Sequence, residues 1–158
     1  MIELSEGNLL EAEVDALVNA VNTEGVMGKG IALQFKQKFP DMFEAYRRAC
    51  KAGEVRPGSM HVFRFDDRSA PRFIINFPTK RHWRSLSRLE DIEAGLLALA
   101  AEVRRHNIRS IAVPALGCGN GGLKWQRVFA YIKEALGQLE DVRVLVFPPD
   151  KSGSLTNK

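Results

Sequence analysis

Apolar positions recur along this chain in two different periods, and the alternation between them lays out an α/β fold. Residues 16–22, A-L-V-N-A-V-N, form a short apolar run closed by asparagine, followed by T-E-G-V-M-G-K-G with glycines at 25, 28 and 30. A strand running into a glycine loop is the expectation. Ile31, Leu33, Phe35 and Phe39 then punctuate a Lys/Gln-rich segment that stops at Pro40, and Met42, Phe43 and Tyr46 continue toward Gly53. Both stretches read as helices, broken at Pro40 because its ring removes a backbone donor. Met60 to Phe65 and Arg72 to Phe77 read as two strands across the polar linker D-D-R-S-A-P.

Ser87-Arg88-Leu89-Glu90 has the form of a capping box, and Leu89, Ile92, Leu96, Ala100 and Val103 follow at helical spacing. Ser110 to Pro114 reads as a buried strand and Gly117 to Gly122 as a glycine-rich loop. Trp125, Val128, Phe129, Ile132, Leu136 and Leu139 mark a further amphipathic helix, and Val142 to Phe147 a last strand. Strands alternating with helices imply an α/β sandwich whose sheet is covered on both faces. From Pro148 the chain is polar and aperiodic, so 1–147 is expected to be the folded domain and 148–158 a flexible tail or linker stub.

Composition narrows the class. At 158 residues, with 45% hydrophobic and 27% charged positions, the chain is sized and balanced for one globular domain. It lacks a run of about 18 apolar residues and a signal-like start, so neither a membrane span nor secretion is expected, and two cysteines suit a reducing cytoplasm. Net charge is only +4, but Thr79 to Leu89 collects Lys80, Arg81, Arg84 and Arg88 beside His82 and Trp83 with no acid among them. That stretch either contacts a polyanion or is a solvated face.

Two strand–loop–helix junctions could carry chemistry: N-T-E-G-V-M-G-K-G-I and P-A-L-G-C-G-N-G-G-L. Glycine loops at helix starts expose N–H groups that suit phosphate, although either loop alone could serve only a turn; two in one small domain favour a diphosphate. Gly117, Gly119 and Gly122 formally spell G-x-G-x-x-G, but only one strand follows, and Glu140 and Asp141 precede it instead of ending it to hold a ribose. A P-loop fails because Leu123 stands where lysine should.

Lys80 and Lys29 lie beside these sites. Either could be a solvated phosphate contact; alternatively, Arg81 and His82 could depress the Lys80 pKa enough to make it a nucleophile toward a sugar carbon. His82 is a candidate acid or base, and Trp83 either stacks on a base or plugs the core. Cys118 lacks a recognisable partner set and reads as packing; Cys50 likewise. His61, His82 and His106 have no metal-ligand spacing, and neither metal nor cofactor is expected.

The motifs G-N-L-L at 7–10, V-D-A-L-V-N-A-V-N at 14–22, M-G-K-G-I-A at 27–32 and P-A-L-G-C-G-N-G-G-L at 114–123, in that order, resemble a macrodomain over residues 1–147. The resemblance implies a three-layer α/β/α fold with a mixed central sheet, and ADP-ribose held by its diphosphate between two glycine loops. An intact M-G-K-G-I-A followed by F-K-Q-K-F-P, with a lysine just after the strand at 72–77, is similar to the terminal ADP-ribose protein glycohydrolase branch and its antitoxins that free thymidine in DNA from ADP-ribose. Carried over, Lys80 becomes catalytic on the distal ribose C1″, with His82 as a further catalytic candidate orienting water. Asn22 then orients that ribose, Gly28, Lys29, Gly30 and Ile31 with Gly117, Cys118, Gly119, Asn120, Gly121 and Gly122 bind the diphosphate, and Asn8 with Leu9 meets the adenine.

The sequence departs from the family twice: Asn8 stands where many members have Asp, and Gly121 where protein-directed relatives carry Asp. Arg81, Trp83 and Arg84 are expected DNA contacts, with phosphate attraction and base stacking favouring a single strand. The implied partners are ADP-ribosylated single-stranded DNA, ADP-ribose and an opposing DarT-type toxin; a cytoplasmic monomer is expected. A hydrolase acting on ADP-ribosylated protein and a non-catalytic ADP-ribose reader are the rival readings.

Overall fold

The computed structural model describes residues 1–149 except Arg68. Six strands form one sheet: β1 Ile2–Leu4, β2 Ala16–Val21, β3 His61–Arg64, β4 Phe73–Pro78, β5 Ser110–Val113 and β6 Arg143–Val146. Their spatial order is β1-β6-β5-β2-β4-β3, with every neighbouring pair parallel except β3 and β4. The sheet is therefore mixed. Four helices cover it: α1 Gly30–Lys38, α2 Pro40–Lys51, α3 Leu89–Arg105 and α4 Trp125–Leu136.

Strand periodicity sorts the core into two layers. Ala16, Val18, Phe73, Ile75, Phe77, Ile111, Val113, Val144 and Val146 pack with residues of α3 and α4 on one face. Leu17, Val21, Ile74, Ala112 and Leu145 pack with Phe35, Met42 and Tyr46 of α1 and α2 on the other. Successive strand residues thus alternate between faces, as the pleat requires. Gly95 of α3 lies so close to the Phe77 ring that any Cβ there would collide with it.

Three features differ from the sequence expectations. β1, three residues long, was too short for a periodic signal, yet it pairs in parallel with β6 through Ile2, Glu3 and Leu4. A short 3₁₀ turn at Leu9–Glu11 follows, capped by Asn8, whose Oδ1 accepts from the Leu10 N–H at 3.0 Å. The Ser87 capping box does not form: Arg88 occupies the cap position of α3 without a side-chain bond, and the buried Ser87 Oγ has no hydrogen-bond partner among the described residues. Ser87 is drawn away by Gly121, whose carbonyl accepts its N–H at 2.9 Å.

The strand and helix limits otherwise agree with expectation to within a few residues, and Pro40 opens α2 at its first turn, where its missing N–H costs nothing. Of the expected tail, Pro148 and Pro149 are half-buried and 150–158 fall outside the described residues.

Candidate functional site

In a parallel sheet the loops leaving the carboxyl ends of the strands gather on one edge. Here that edge collects the segments after β1 (Gly7, Asn8), β2 (Asn22 to Lys29), β4 (Thr79 to Ser87), β5 (Gly117 to Gly122) and β6 (Phe147). The Thr79 N–H donates to Val21 O at 2.8 Å, holding the exit of β4 beside the exit of β2.

The first glycine loop is shaped by Asn22. Its Oδ1 accepts from the Glu24 N–H at 2.9 Å, the Val26 N–H at 3.4 Å and the Tyr46 hydroxyl at 3.0 Å, while Nδ2 donates to Val26 O at 2.8 Å. Tyr46 is fully buried, and burial raises its phenol pKa, so it stays a donor. Asn22, expected to orient a ribose, is chiefly the pin of this loop, with one Nδ2 hydrogen left over. The loop then enters α1 with Lys29 as a cap that makes no side-chain bond. Among the described residues, the backbone N–H groups of Gly28, Lys29, Gly30 and Ile31 meet no acceptor. Orphan donors at the N-terminus of a nine-residue helix attract an anion.

The second loop repeats that chemistry. Gly119, Asn120 and Gly121 keep N–H groups without a protein acceptor among the described residues, while Leu123 N–H to Gly117 O at 2.9 Å closes the loop. Gly117 has φ +74° and so needs glycine. Gly119 is exposed, and a Cβ there would touch nothing within 4 Å. Gly121 is the opposite: a Cβ would run into Ser87 Oγ and Gly117 O. The aspartate that the resemblance led one to look for at this position has no room in this loop. Cys118 Sγ sits 3.6 Å from Leu116 O, and burial pushes its thiol pKa up to about 11, so it is a packed thiol.

Lys80 stands between the two loops in chain terms and is partly buried, its Nζ 3.4 Å from Trp83 O. Burial, and then the positive charge of Lys29, lower its pKa from the ordinary lysine value. The depressing cation differs from the expected one. Arg81 is paired with Asp91 at 3.3 Å, and the His82 ring, whose Nε2 lies 3.2 Å from Glu24, is not among the causes; Lys29 is the cation that acts. His82 Nδ1 accepts the Arg84 N–H at 3.0 Å, leaving both ring nitrogens engaged. Trp83, 38% exposed, stacks on the His82 ring at 5.6 Å, and the Arg84 guanidinium lies 4.5 Å from the Trp83 centroid.

At the far end Asn8 is exposed and lines a hollow with Leu10, Glu11, Gln34, Gln37 and Lys38, while Leu9 is buried in the core and can offer only its backbone. Sequence reading missed the buried pair Asn19–Asn76, whose side chains bond at 3.1 Å across β2 and β4. Asn19 Nδ2 also lies 3.7 Å from the sulfur of Met27, and Asn76 Nδ2 lies 3.0 Å from His61 Nδ1. Only the strand register, which sets Asn19 opposite Asn76, makes this visible.

Two loops with unpartnered N–H groups and a lysine of lowered pKa thus leave the carboxyl edge of a mixed α/β sheet. The chain belongs to the Macro domain family, whose model matches residues 18–132. It is 53% identical over 149 residues, 94% of the chain, to a DNA ADP-ribosyl glycohydrolase of Thermus aquaticus, and covers 41% of that protein.

The structure superposes on the macrodomain of Mycobacterium tuberculosis DarG with a TM-score of 0.93 at 53% identity, over 95% of this chain and 99% of the other. It also matches Thermosipho africanus DarTG in complex with ADP-ribose, with a TM-score of 0.88 at 35% identity, over 95% of this chain and 42% of that one. The chain thus spans about two fifths of the length of the DNA ADP-ribosyl glycohydrolases it matches.

Proposed function

We propose that this domain hydrolyses the N-glycosidic bond joining ADP-ribose to a thymine of single-stranded DNA, with Lys80 as the reacting amine. The observation that carries the reading is the lowered pKa of Lys80 beside two loops whose N–H groups await an anion. Its neutral form is the nucleophile, and burial and Lys29 together favour that form. The diphosphate would be gripped by Gly28–Ile31 and Gly119–Gly121, which fixes the distal ribose near Lys80.

Attack of the neutral Nζ on C1″ forms a C–N bond as the bond to the base nitrogen breaks, and the proton shed by the attacking amine passes to that nitrogen. Water then attacks C1″, the C1″–Nζ bond breaks, the hydroxyl stays on C1″ and the second water proton restores the amine. With no room for a Cβ at position 121, a carboxylate from that position takes no part in the step. Support for DNA comes from the similarity to proteins named DNA ADP-ribosyl glycohydrolase. The basic, aromatic segment holding Arg81, Trp83 and Arg84 adds to it, because a strand can be steered by phosphate and a free base stacked.

A DarT-type transferase is the opposing partner in this reading, acting in the cytoplasm on the same DNA while this domain works as a monomer. The test is incubation with an ADP-ribosylated single-stranded oligonucleotide, with calorimetry of free ADP-ribose alongside. Wild type should release ADP-ribose, and Lys80→Ala should bind it without turnover. Binding without release by wild type would make the domain a reader; release only from modified protein would assign the other substrate class.

A further inference from the structure

The segment bearing Lys80 is fastened at both ends. Thr23 Oγ1 donates to the Arg81 carbonyl, and the Glu24 carboxylate meets His82 Nε2 at 3.2 Å, so the first glycine loop holds residues 81–82. The Ser87 N–H donates to Gly121 O at 2.9 Å, so the second loop holds the other end. Between them, His82 is the centre of a tight turn. Its O accepts the Ser85 N–H at 2.9 Å, its Nδ1 accepts the Arg84 N–H at 3.0 Å, and its ring stacks on Trp83. The carbonyl of Trp83 in that turn is the one hydrogen-bond partner of Lys80 Nζ among the described residues.

We infer that Glu24 and His82 form a clasp that places the Lys80 amine, so that His82 is a positioning residue and Glu24 a second one. Because Nδ1 accepts a backbone N–H, the neutral ring carries its hydrogen on Nε2 and donates it to Glu24. Both nitrogens are then engaged within the protein: Nδ1 in the turn whose Trp83 carbonyl accepts from Nζ, and Nε2 on Glu24 of the first loop. Glu24 matters through geometry: it belongs to the loop that grips the diphosphate, so the clasp links the phosphate grip directly to the position of the amine. A reacting atom displaced by about an ångström loses up to roughly a hundredfold in rate, which sets the scale of the effect.

This rests on the catalytic reading of Lys80 given above, and the experiment separates the two. Glu24→Gln, His82→Ala, His82→Asn and the double variant Glu24→Gln/His82→Ala are compared with wild type on the modified oligonucleotide, with thermal melting as a check on folding. Each clasp-breaking single variant should lower kcat by roughly tenfold or more while KM and ADP-ribose affinity stay within about twofold. The double variant should be no worse than the poorer single one, since both break one unit. His82→Asn, whose Oδ1 replaces Nδ1 as acceptor for Arg84, should recover part of the loss.

The pH–rate profile of His82→Ala should keep the shape of wild type at lower height; loss of one limb would make His82 an acid or base and overturn the clasp, as would additive losses. The Lys80 Cε–Nζ signal, read by NMR on substrate-free protein, should move in Glu24→Gln and in His82→Ala. An unmoved signal overturns the clasp even if wild type turns over, and a moved signal in a wild type that never turns over would defeat the catalytic reading alone.

Discussion

Lys80 shows how much two neighbours can decide at the scale of a residue. Burial disfavours its ammonium, and the like charge of Lys29 disfavours it further. Lys29→Gln removes the repulsion, so the pKa of Lys80 rises toward the ordinary lysine value and the neutral amine becomes scarcer at any pH below it. The ascending limb of kcat against pH should therefore move to higher pH in Lys29→Gln and stay in place in Lys29→Arg; measuring kcat at saturation keeps any loss of diphosphate binding out of the comparison. An unmoved limb would mean that the charge of Lys29 does not reach Lys80.

Gly119 supplies the complementary test. Because a Cβ there meets nothing, Gly119→Glu should melt near the wild-type temperature, yet on the proposed reading its carboxylate would stand where the loop grips the diphosphate. Like-charge juxtaposition of about 3 kcal/mol weakens ADP-ribose roughly a hundredfold, which calorimetry reads directly.

Among the elements, α3 and β4 bear most directly on the site, because β4 ends at Pro78 and delivers Lys80. Gly95→Ala in the middle of an exposed helix would stabilise it by about 1 kcal/mol, but here the methyl meets the Phe77 ring. The expected outcome is a net loss of about 1–3 kcal/mol in denaturant unfolding, the usual cost of overpacking a filled core. Turnover should fall more than ADP-ribose affinity, since Phe77 lies three residues before Lys80.

The elements themselves were legible in the sequence wherever periodicity runs long enough: α3, α4, β2 and β4 declare themselves through apolar spacing. So were both glycine loops as segments, because their composition is local in sequence, whereas a choice of role for Lys80 came only with the resemblance. β1 was hidden by its three residues, and the Ser87 cap was misread because a tertiary bond to Gly121 outcompetes a local one. Asn19–Asn76, Arg81–Asp91 and Glu24–His82 were invisible for a shared reason: each needs two segments whose approach only the register and the loop paths determine.

For the molecule as a whole, the question is whether the basic segment after β4 adds to substrate capture beyond the two glycine loops proposed to hold ADP-ribose. Net charge of +4 is too small to dominate by itself, so any polyanion preference must come from where the cations stand. Arg81 is partly neutralised by Asp91 and Lys80 is partly buried with its amine on Trp83 O, which leaves Arg84 and Arg88 as the exposed charges of that segment and Arg81 as a weaker third. Trp83 and Leu86, at 38% and 71% exposure, add apolar surface on the same segment.

A strand crossing it would release the counterions of two or three phosphates, and each contributes a slope of about −0.7 for single-stranded nucleic acid. The logarithm of kcat/KM on the modified oligonucleotide should fall with the logarithm of salt at a slope of roughly −1.4 to −2.1 more steeply than on a modified mononucleoside, which lacks flanking phosphates. Arg84→Ala should flatten that difference by about 0.7 while leaving the mononucleoside rate alone. Equal slopes on both substrates would mean that the loops capture ADP-ribose alone and that the polymer beyond the base passes through solvent untouched.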